Sequence, residues 1–433
     1  MYAESTPRGH GGISVIRISG GETLDILGLI TPQKTWPAHV QKPSPIRDRE
    51  GRIIERAMVV FHPAPRSYTG EDVAEISCHG NPLLVNEVLA AIHHTGLARI
   101  AERGEFTKRA YINGKMDLAQ AEAVGALVGA KSTAGIEMAS RVLAGDLSRQ
   151  VREIEQELVG ILSEIEASFI IEEVEVENVS VADALEPLIC RFDALLEGAQ
   201  MASHLYSGII TTIAGLPNAG KSSLFNAILG CDRAIVHQES GTTRDILREQ
   251  ITISGMDFIF HDTAGVRETS SGPERLGVEK TVEALKSSHL VIYVVDAVKG
   301  LTPEEEQWLS LGERTIVVMN KADLITGDVP RGTDGDAVWV SAKYKEGIGD
   351  LMDRMASLYS GGSPHVFLER HVHLLEKARE HLLNCRQAAG DNMTPDALAI
   401  DLTGALQCIR EMSGEGISQD MLDDIFSKFC VGK

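Results

Sequence analysis

The sequence predicts a multidomain α/β protein: an α+β N-terminal domain, then a discontinuous helical domain, with a doubly wound sheet domain inserted into it. Three observations lead to this fold class. The chain has 433 residues, and a single hydrophobic core does not usually stabilise a chain of that length. Its hydrophobic pattern changes from short β-like runs to helical spacing, and then to apolar strands alternating with helices. A linker-like cluster at residues 360–364 precedes a second helical stretch.

The N-terminal domain is predicted from short β-like runs at residues 13–18, 57–61 and 73–76, which Gly and Pro clusters separate. Further along, apolar side chains recur at every third or fourth position, which predicts one stripe on a long helix. The stripe consists of Leu143, Leu147, Val151, Ile154, Leu158, Ile161 and Ile165.

The inserted domain is predicted from apolar runs that alternate with helical segments, as in a largely parallel, doubly wound sheet. These runs occupy residues 209–214, 258–260, 290–295, 315–319 and 338–340. The resulting domain bounds are 1–113 for the N-terminal domain, 114–205 for the first helical half, 206–362 for the inserted domain and 363–433 for the second helical half.

Composition restricts the partners. Hydrophobic residues make up 43% of the chain and charged residues 24%, which is typical of globular proteins. The net charge of −21 repels nucleic acid, so any RNA contact must be local or shared with a basic partner. No apolar run is long enough to span a membrane and the first residues lack signal-peptide features, so we expect a cytoplasmic protein with no membrane partner. The six scattered cysteines are typical of reduced thiols.

A phosphate-binding motif, GxxxxGK[ST], occupies residues 215–222, with a predicted strand before it and a helix after it. Backbone N–H groups would surround phosphate, Lys221 would reach the β and γ oxygens, and Ser222 would offer its hydroxyl to Mg²⁺. Three further motifs follow strands: DTAG at 262–265, NKAD at 320–323 and SAK at 341–343. The predicted GTP/GDP contacts are Asn218, Ala219, Gly220, Lys221, Ser222, Ser223, Asp262, Thr263, Ala264, Gly265, Asn320, Lys321, Ala322, Asp323, Ser341, Ala342 and Lys343.

The base should be guanine. Asp323 can accept two hydrogen bonds from guanine N1–H and its exocyclic amine, whereas adenine would leave the carboxylate unpaired, a mismatch that can cost about 10⁴-fold. The order of the motifs resembles the translation-factor-like GTPases, so we expect an inserted P-loop GTPase domain that hydrolyses GTP.

The guide for the attacking water is a separate question. Val266 stands where Ras-like enzymes carry a water-orienting Gln. Glu268 and Glu274, in the acidic segment after Gly265, are the candidates.

Thr243, in a switch-like loop, can ligate Mg²⁺. Asn218 is placed to supply an ion ligand, which leads us to expect potassium-dependent hydrolysis.

Motifs outside this domain carry a family resemblance: TPRGHGG at 6–12, IRISG at 16–20, SYTGED at 67–72, GEFTKRA at 104–110 and FCVGK at 429–433. Together with GTTRD at 241–245 they identify the chain as similar to the MnmE (TrmE) family of tRNA-modification GTPases, over essentially its whole length.

The resemblance implies a homodimer formed through the N-terminal domain, which would bind 5-formyl- or methylene-tetrahydrofolate as the one-carbon source. It also implies a heterotetramer with an MnmG (GidA)-type partner that uses FAD and NADH. Together the two proteins would add an aminomethyl or carboxymethylaminomethyl group to C5 of the tRNA wobble uridine.

The resemblance also implies residue roles. Potassium would be held by Asn218 and the loop formed by His237, Gln238, Glu239, Ser240, Gly241 and Thr242. Mg²⁺ would be held by Ser222 and Thr243, and the hydrolytic water by Glu274. Folate would contact Arg17, Glu75, Lys115 and Lys433, and Cys430 is the candidate reactive thiol.

Non-functional interpretations of single residues, and one alternative function, stay open at this point. Taken alone, Arg17 and Glu75 are ordinary surface charges, and Cys430 is a packing residue. The alternative function is a regulatory or ribosome-assembly GTPase that binds RNA without modifying it. Such proteins append a basic RNA-binding module, commonly with a GxxG loop, and the residues after 364 show neither feature.

Overall fold

The computed structural model describes residues 1–130, 132–170, 178–231, 235–237, 249–260, 285, 287–309, 314–325, 333–334, 337–359 and 368–432. The chain divides into two compact units. The first consists of Met1–Gly129, Ala139–Cys190 and His373–Lys433, and the second of Ala130–Met138 and Arg191–Val372. The domain bounds expected from the sequence remain predictions.

The first unit begins with an antiparallel five-stranded sheet in the order β1-β2-β5-β4-β3. Its strands are β1 (Tyr2–Glu4), β2 (Gly11–Ser19), β3 (Lys42–Arg47), β4 (Ile53–His62) and β5 (Val73–Gly80). Helices α1 (Thr23–Ile30) and α2 (Pro82–His94) bury their apolar residues in one core with the strands. The Asn81 side chain accepts the Leu83 N–H at the start of α2, where Pro82 is the first helical residue.

Three of these strands confirm the β-like runs of the sequence, and two were not predicted. β1 is only three residues long, which is too short for a periodic pattern. β3 contains Pro43 and Pro45, and prolines within a short run argue against a strand when only the local sequence is considered. Because β3 is an edge strand, a missing N–H can face away from the sheet.

Helices make up the rest of the first unit: α3 (Glu105–Ile112), α4 (Leu118–Gly129), α5 (Thr133–Leu143, which begins in the second unit), α6 (Asp146–Ile170) and α7 (Asn178–Ser207, which ends there). Later in the chain follow α11 (Glu369–Gly390, which begins in the second unit), α12 (Pro395–Ser413) and α13 (Gln419–Ser427). α6 packs along α12, and Arg410 Nε donates to Glu155 Oε1 at 2.7 Å between them. Segments far apart in sequence therefore form one helical body, which confirms a discontinuous helical domain.

One detail of the helical prediction is wrong. Leu147, Val151, Ile154, Leu158 and Ile165 are buried on α6 as expected, but Leu143 is the last residue of α5. Gly145, with φ +91°, separates the two helices. A left-handed glycine ends a helix without interrupting the apolar spacing, so periodicity alone did not reveal the break.

The second unit contains an eight-stranded sheet in the order β12-β13-β11-β10-β6-β9-β8-β7. The strands are β6 (Ile209–Ala214), β7 (Ile235–His237), β8 (Glu249–Ile253), β9 (Met256–Phe260), β10 (Leu290–Asp296), β11 (Thr315–Asn320), β12 (Thr333–Asp334) and β13 (Ala337–Val340). The five from β13 to β9 are parallel. β12 and β8 pair antiparallel with β13 and β9, and β7 pairs antiparallel with β8. Helices α8 (Lys221–Leu229), α9 (Pro303–Leu309) and α10 (Ile348–Ser357) accompany it. The doubly wound sheet is confirmed.

Parallel strands place their carboxyl ends at one edge of the sheet, where α/β proteins bind ligands. The ends of β6, β11 and β13 lead into three of the predicted nucleotide motifs. Within the described ranges, no helix has the length and apolar character needed to cross a membrane.

Candidate functional site

The phosphate-binding loop, residues 215–222, connects β6 to α8. Lys221 Nζ donates to the carbonyl oxygens of Gly215 and Leu216, both at 2.9 Å. Burial lowers the pKa of this ammonium, and phosphate oxygens would be stronger, anionic acceptors for the same donors. The first turn of α8 begins here and adds backbone N–H groups.

The loop fits tightly against the rest of the site. Gly220 has φ +96°, and a Cβ at this position would lie 2.2 Å from Asn320 Nδ2. Only glycine accepts both that backbone conformation and that contact. Asn218 also has a left-handed φ, at +66°, and it lies exposed at the tip of the loop.

Asn320 joins three of the predicted motifs. Its Nδ2 donates to the Ala219 carbonyl at 2.9 Å, and its Oδ1 accepts the Ala342 N–H at 3.1 Å. The side chain is 2% exposed. The phosphate loop, NKAD and SAK segments therefore form one hydrogen-bonded cluster.

The base-recognition side chains lie beside Asn320. Ser341 Oγ donates to Asp323 Oδ1 at 2.6 Å, which orients an otherwise exposed carboxylate. Lys321 Nζ donates to Asp296 Oδ2 at 2.7 Å, and this bond holds the pKa of the Asp296 carboxyl below its usual value. Lys343 is exposed and lies over the ring of Tyr344.

The predicted folate residues lie in the first unit. Arg17 and Glu75 are cross-strand neighbours on β2 and β5, and Arg17 Nε donates to Glu75 Oε1 at 2.7 Å. Their side chains are 26% and 29% exposed. Lys115 Nζ donates to the Pro65 carbonyl at 2.9 Å, on the loop between β4 and β5.

Cys430 borders a cavity that the described folate residues predicted from the sequence do not line. This cavity of about 660 Å³ lies along residues 2–8, and Arg17, Glu75 and Lys115 are not among the lining residues. The carboxyl-terminal tail lies against the N-terminal domain, because Gly104 N–H donates to the Cys430 carbonyl at 3.3 Å. Gly432, with φ +89°, fits where a Cβ would lie 2.4 Å from the Glu4 carbonyl.

Family models match nearly all of the chain. The model described as MnmE helical domain matches residues 118–430, and the one described as GTP-binding protein TrmE N-terminus matches residues 1–115. The chain belongs to the MnmE family. The family resemblance inferred from the sequence motifs is thereby confirmed.

Full-length relatives agree. A protein of Carboxydothermus hydrogenoformans named tRNA modification GTPase MnmE is 37% identical over 457 residues, covering 100% of this chain and 99% of its own length. Proteins of the same name from Moorella thermoacetica and Thermosipho melanesiensis are 38% identical over 459 residues and 37% over 447, with the same coverage. This MnmE family chain therefore matches its relatives end to end.

Several predicted site residues of this MnmE family chain lie outside the described residues. They are Gln238, Glu239, Ser240, Gly241, Thr242, Thr243, Asp262, Thr263, Ala264, Gly265, Glu268, Glu274 and Lys433. The backbone of His237 belongs to β7. The roles of these residues remain predictions, as do those of the described site residues.

Two side chains beside the sites were not singled out from the sequence. Asp296 ends the apolar strand β10, and a carboxylate after a buried parallel strand is a signal that could have found it. Tyr68 lies within the SYTGED motif, and the Arg17 guanidinium carbon is 6.0 Å from its ring centroid. Only the contact, not the motif, connects it to Arg17.

Proposed function

We propose that the chain is a potassium-dependent GTPase that acts with an FAD-dependent partner on the tRNA wobble uridine. The two would add a (carboxymethyl)aminomethyl group at C5, with a tetrahydrofolate as one-carbon donor. The coarser function follows from family membership: the chain is a GTP hydrolase that takes part in tRNA modification. The homodimer and the MnmG-type partner belong to the proposal.

The Asn320 cluster is the observation that carries the nucleotide part. Both polar ends of the Asn320 amide are bonded, to the Ala219 carbonyl and the Ala342 N–H, so the phosphate loop and the base-recognition segments hold a constant spacing. Ser341 keeps one oxygen of Asp323 in place. Asp323 then accepts two hydrogen bonds from guanine, which an adenine ring cannot supply.

The phosphate end suits GTP hydrolysis. Lys221 would transfer its hydrogen bonds from the loop carbonyls to phosphate oxygens, where its charge opposes the charge that develops in the transition state. The Ser222 hydroxyl and the Asn218 amide belong to exposed residues. Each carries an oxygen atom, which is the ligand atom that Mg²⁺ and K⁺ prefer. Such cations would neutralise phosphate charge. Ser222 would hold Mg²⁺ and Asn218 would hold K⁺.

The one-carbon part rests on Arg17 and Glu75. A pterin ring presents N–H donors that the Glu75 carboxylate can accept, while Arg17 and Lys115 can donate to carbonyl or carboxylate oxygens. These three side chains supply one acceptor and two cations from a partly exposed sheet face and its neighbouring loop. That donor and acceptor set suits a reduced folate.

The test is nucleoside mass spectrometry of tRNA from a strain that lacks this chain. The modified wobble uridine should be absent, return with the wild-type chain and stay absent with Asp323→Asn, which keeps the Ser341 contact but loses guanine recognition. Retention of the modified uridine in the deletion strain would contradict the proposal. Unchanged tRNA together with accumulated ribosomal precursors would favour the ribosome-assembly alternative.

A further inference from the structure

Tyr68 lies between Arg17, one of the predicted folate residues, and helix α3. On one side, the Arg17 guanidinium carbon is 6.0 Å from the ring centroid, within the range of a cation–π contact. On the other side, the Tyr68 hydroxyl and Thr107 Oγ1 are 2.9 Å apart. Thr107 belongs to α3 and is fully buried, so the ring is anchored at its polar end.

The loop that carries Tyr68, residues 63–72, is itself held on both sides. Asn113 Nδ2 donates to the Thr69 carbonyl at 2.7 Å, and Thr69 Oγ1 lies 2.8 Å from Ser19 Oγ on β2. Gly70 has φ +79°, which permits the turn that follows. The position of the Tyr68 ring is therefore set by bonds to β2 and to the segment after α3.

The same loop contacts two of the folate residues. Lys115 Nζ donates to Pro65 at its start, and Arg17 meets Tyr68 near its middle. Within the described part of the chain, Arg17 uses only Nε in a hydrogen bond, to Glu75. Its terminal N–H groups therefore remain for a ligand, provided that the guanidinium plane is held in place.

We propose that Tyr68 is a positioning residue, which holds the Arg17 guanidinium beside Glu75 so that the pair is preorganised to bind a reduced folate. The inference rests on the folate part of the proposed function. Glu75 restrains the guanidinium through Nε, and the aromatic face restrains it from a second direction. A phenol anchored by Thr107 supplies that face with only two side-chain torsions to order.

Burial raises the pKa of Tyr68, so the hydroxyl stays neutral at physiological pH and keeps its hydrogen bond to Thr107. A neutral ring also retains the quadrupole that attracts a cation. A partly exposed cation–π contact of about 1 kcal/mol corresponds to about fivefold in affinity. That is the size of effect expected when the ring is removed.

The test measures the dissociation constant of 5-formyl-tetrahydrofolate for the full chain by calorimetry. Tyr68→Leu should weaken binding about fivefold, while Tyr68→Phe, which keeps the ring but loses the hydrogen bond to Thr107, should weaken binding less than Tyr68→Leu does. Tyr344→Leu, which removes an exposed tyrosine under Lys343 in the other unit, is the matched control. Thermal melting reports folding, and Tyr68→Met replaces Tyr68→Leu if the latter does not fold.

Arg17→Gln separates this inference from the proposed function. If Tyr68 acts through Arg17, Tyr68→Leu should cause no further loss in an Arg17→Gln background. Wild-type affinity of Tyr68→Leu, or an equal additional loss in that background, would overturn the role of Tyr68 while the folate site stands. Wild-type affinity of Arg17→Gln would overturn the folate site itself, and the role of Tyr68 with it.

Discussion

At the scale of single residues, side-chain amides determine how the nucleotide site is assembled. Asn320 is buried and uses both ends of its amide to join the phosphate loop to the SAK segment. Asn218 is exposed in the left-handed region, which asparagine tolerates better than most residues. The first amide therefore has a structural role, and the second is available for an ion.

Asn218→Gly should abolish the stimulation of GTP hydrolysis by potassium and leave GTP binding nearly intact. Glycine accepts the φ of +66°, so the substitution removes the side-chain oxygen without straining the loop. We expect turnover to fall by about 10² to 10³, the usual cost of losing one group that stabilises transition-state charge. Rates are compared in potassium and in sodium at equal ionic strength.

Asn392→Gly is the matched control, because Asn392 is also exposed and left-handed, with φ +53°, in the turn between α11 and α12. It should leave turnover unchanged. Equal wild-type rates in the two salts would exclude a potassium-dependent mechanism.

At the scale of elements, α3 is tied to its surroundings by a buried carboxylate. Glu105, the first residue of the helix, accepts hydrogen bonds of 2.7–2.8 Å from Arg99, Arg109 and the Glu102 N–H. Burial by itself would raise the pKa of Glu105, but these bonds outweigh it and hold the pKa at about 2. The helix that anchors Tyr68 through Thr107 is therefore itself held by charge.

Glu105→Gln should destabilise the protein at neutral pH and have little effect in acid. Because the folded-state pKa lies below the ordinary value of 4.5, the stabilisation is complete above pH 4.5 and is lost as the pH falls toward 2. The shift corresponds to about 3 kcal/mol of unfolding free energy. Chemical denaturation at a series of pH values measures it.

Glu102→Gln removes an exposed carboxylate three residues earlier and should keep the wild-type pH profile. A Glu105→Gln curve that runs parallel to the wild type at every pH would show that this carboxylate contributes no pH-dependent stability.

At the scale of the whole molecule, the net charge limits how tRNA is bound. The carboxyl-terminal tail and the described nucleotide residues belong to different units. Acidic residues outnumber basic ones by 62 to 41, so tRNA binding needs a local basic surface or a basic partner. The carboxyl-terminal tail contacts the N-terminal domain through Cys430 and Gly432. The described nucleotide residues all belong to the second unit.

Deletion of residues 430–433 should abolish wobble-uridine modification while the GTPase rate of the purified chain stays close to that of the wild type. The tail carries Cys430 and Lys433, whereas none of the predicted nucleotide ligands lies there. Nucleoside analysis of tRNA from cells that carry only the truncated chain gives the answer. Cys430→Ser in the full-length chain separates loss of the thiol from loss of the tail, and normal modification in the truncated strain would make the tail a packing segment.

Local patterns in the sequence were sufficient for the strands of both sheets that carry long apolar runs, and for the phosphate loop with its flanking strand and helix. They also placed NKAD and SAK at strand ends, where parallel topology brings them to one edge. These features depend on periodicity and turn chemistry within a few residues, so they can be predicted from the local sequence without knowledge of the fold.

Only the tertiary structure decided the pairings between distant residues. The Arg17–Glu75 bond depends on the register of β2 and β5. The position of Tyr68 depends on a loop held by Asn113 and Ser19. The path of the tail decides that Cys430 borders a cavity that Arg17 does not line. Likewise β3, with its two prolines, is a strand because it pairs with β4 at the sheet edge. Long-range contacts arise from how elements pack, and packing is not encoded in any single short segment.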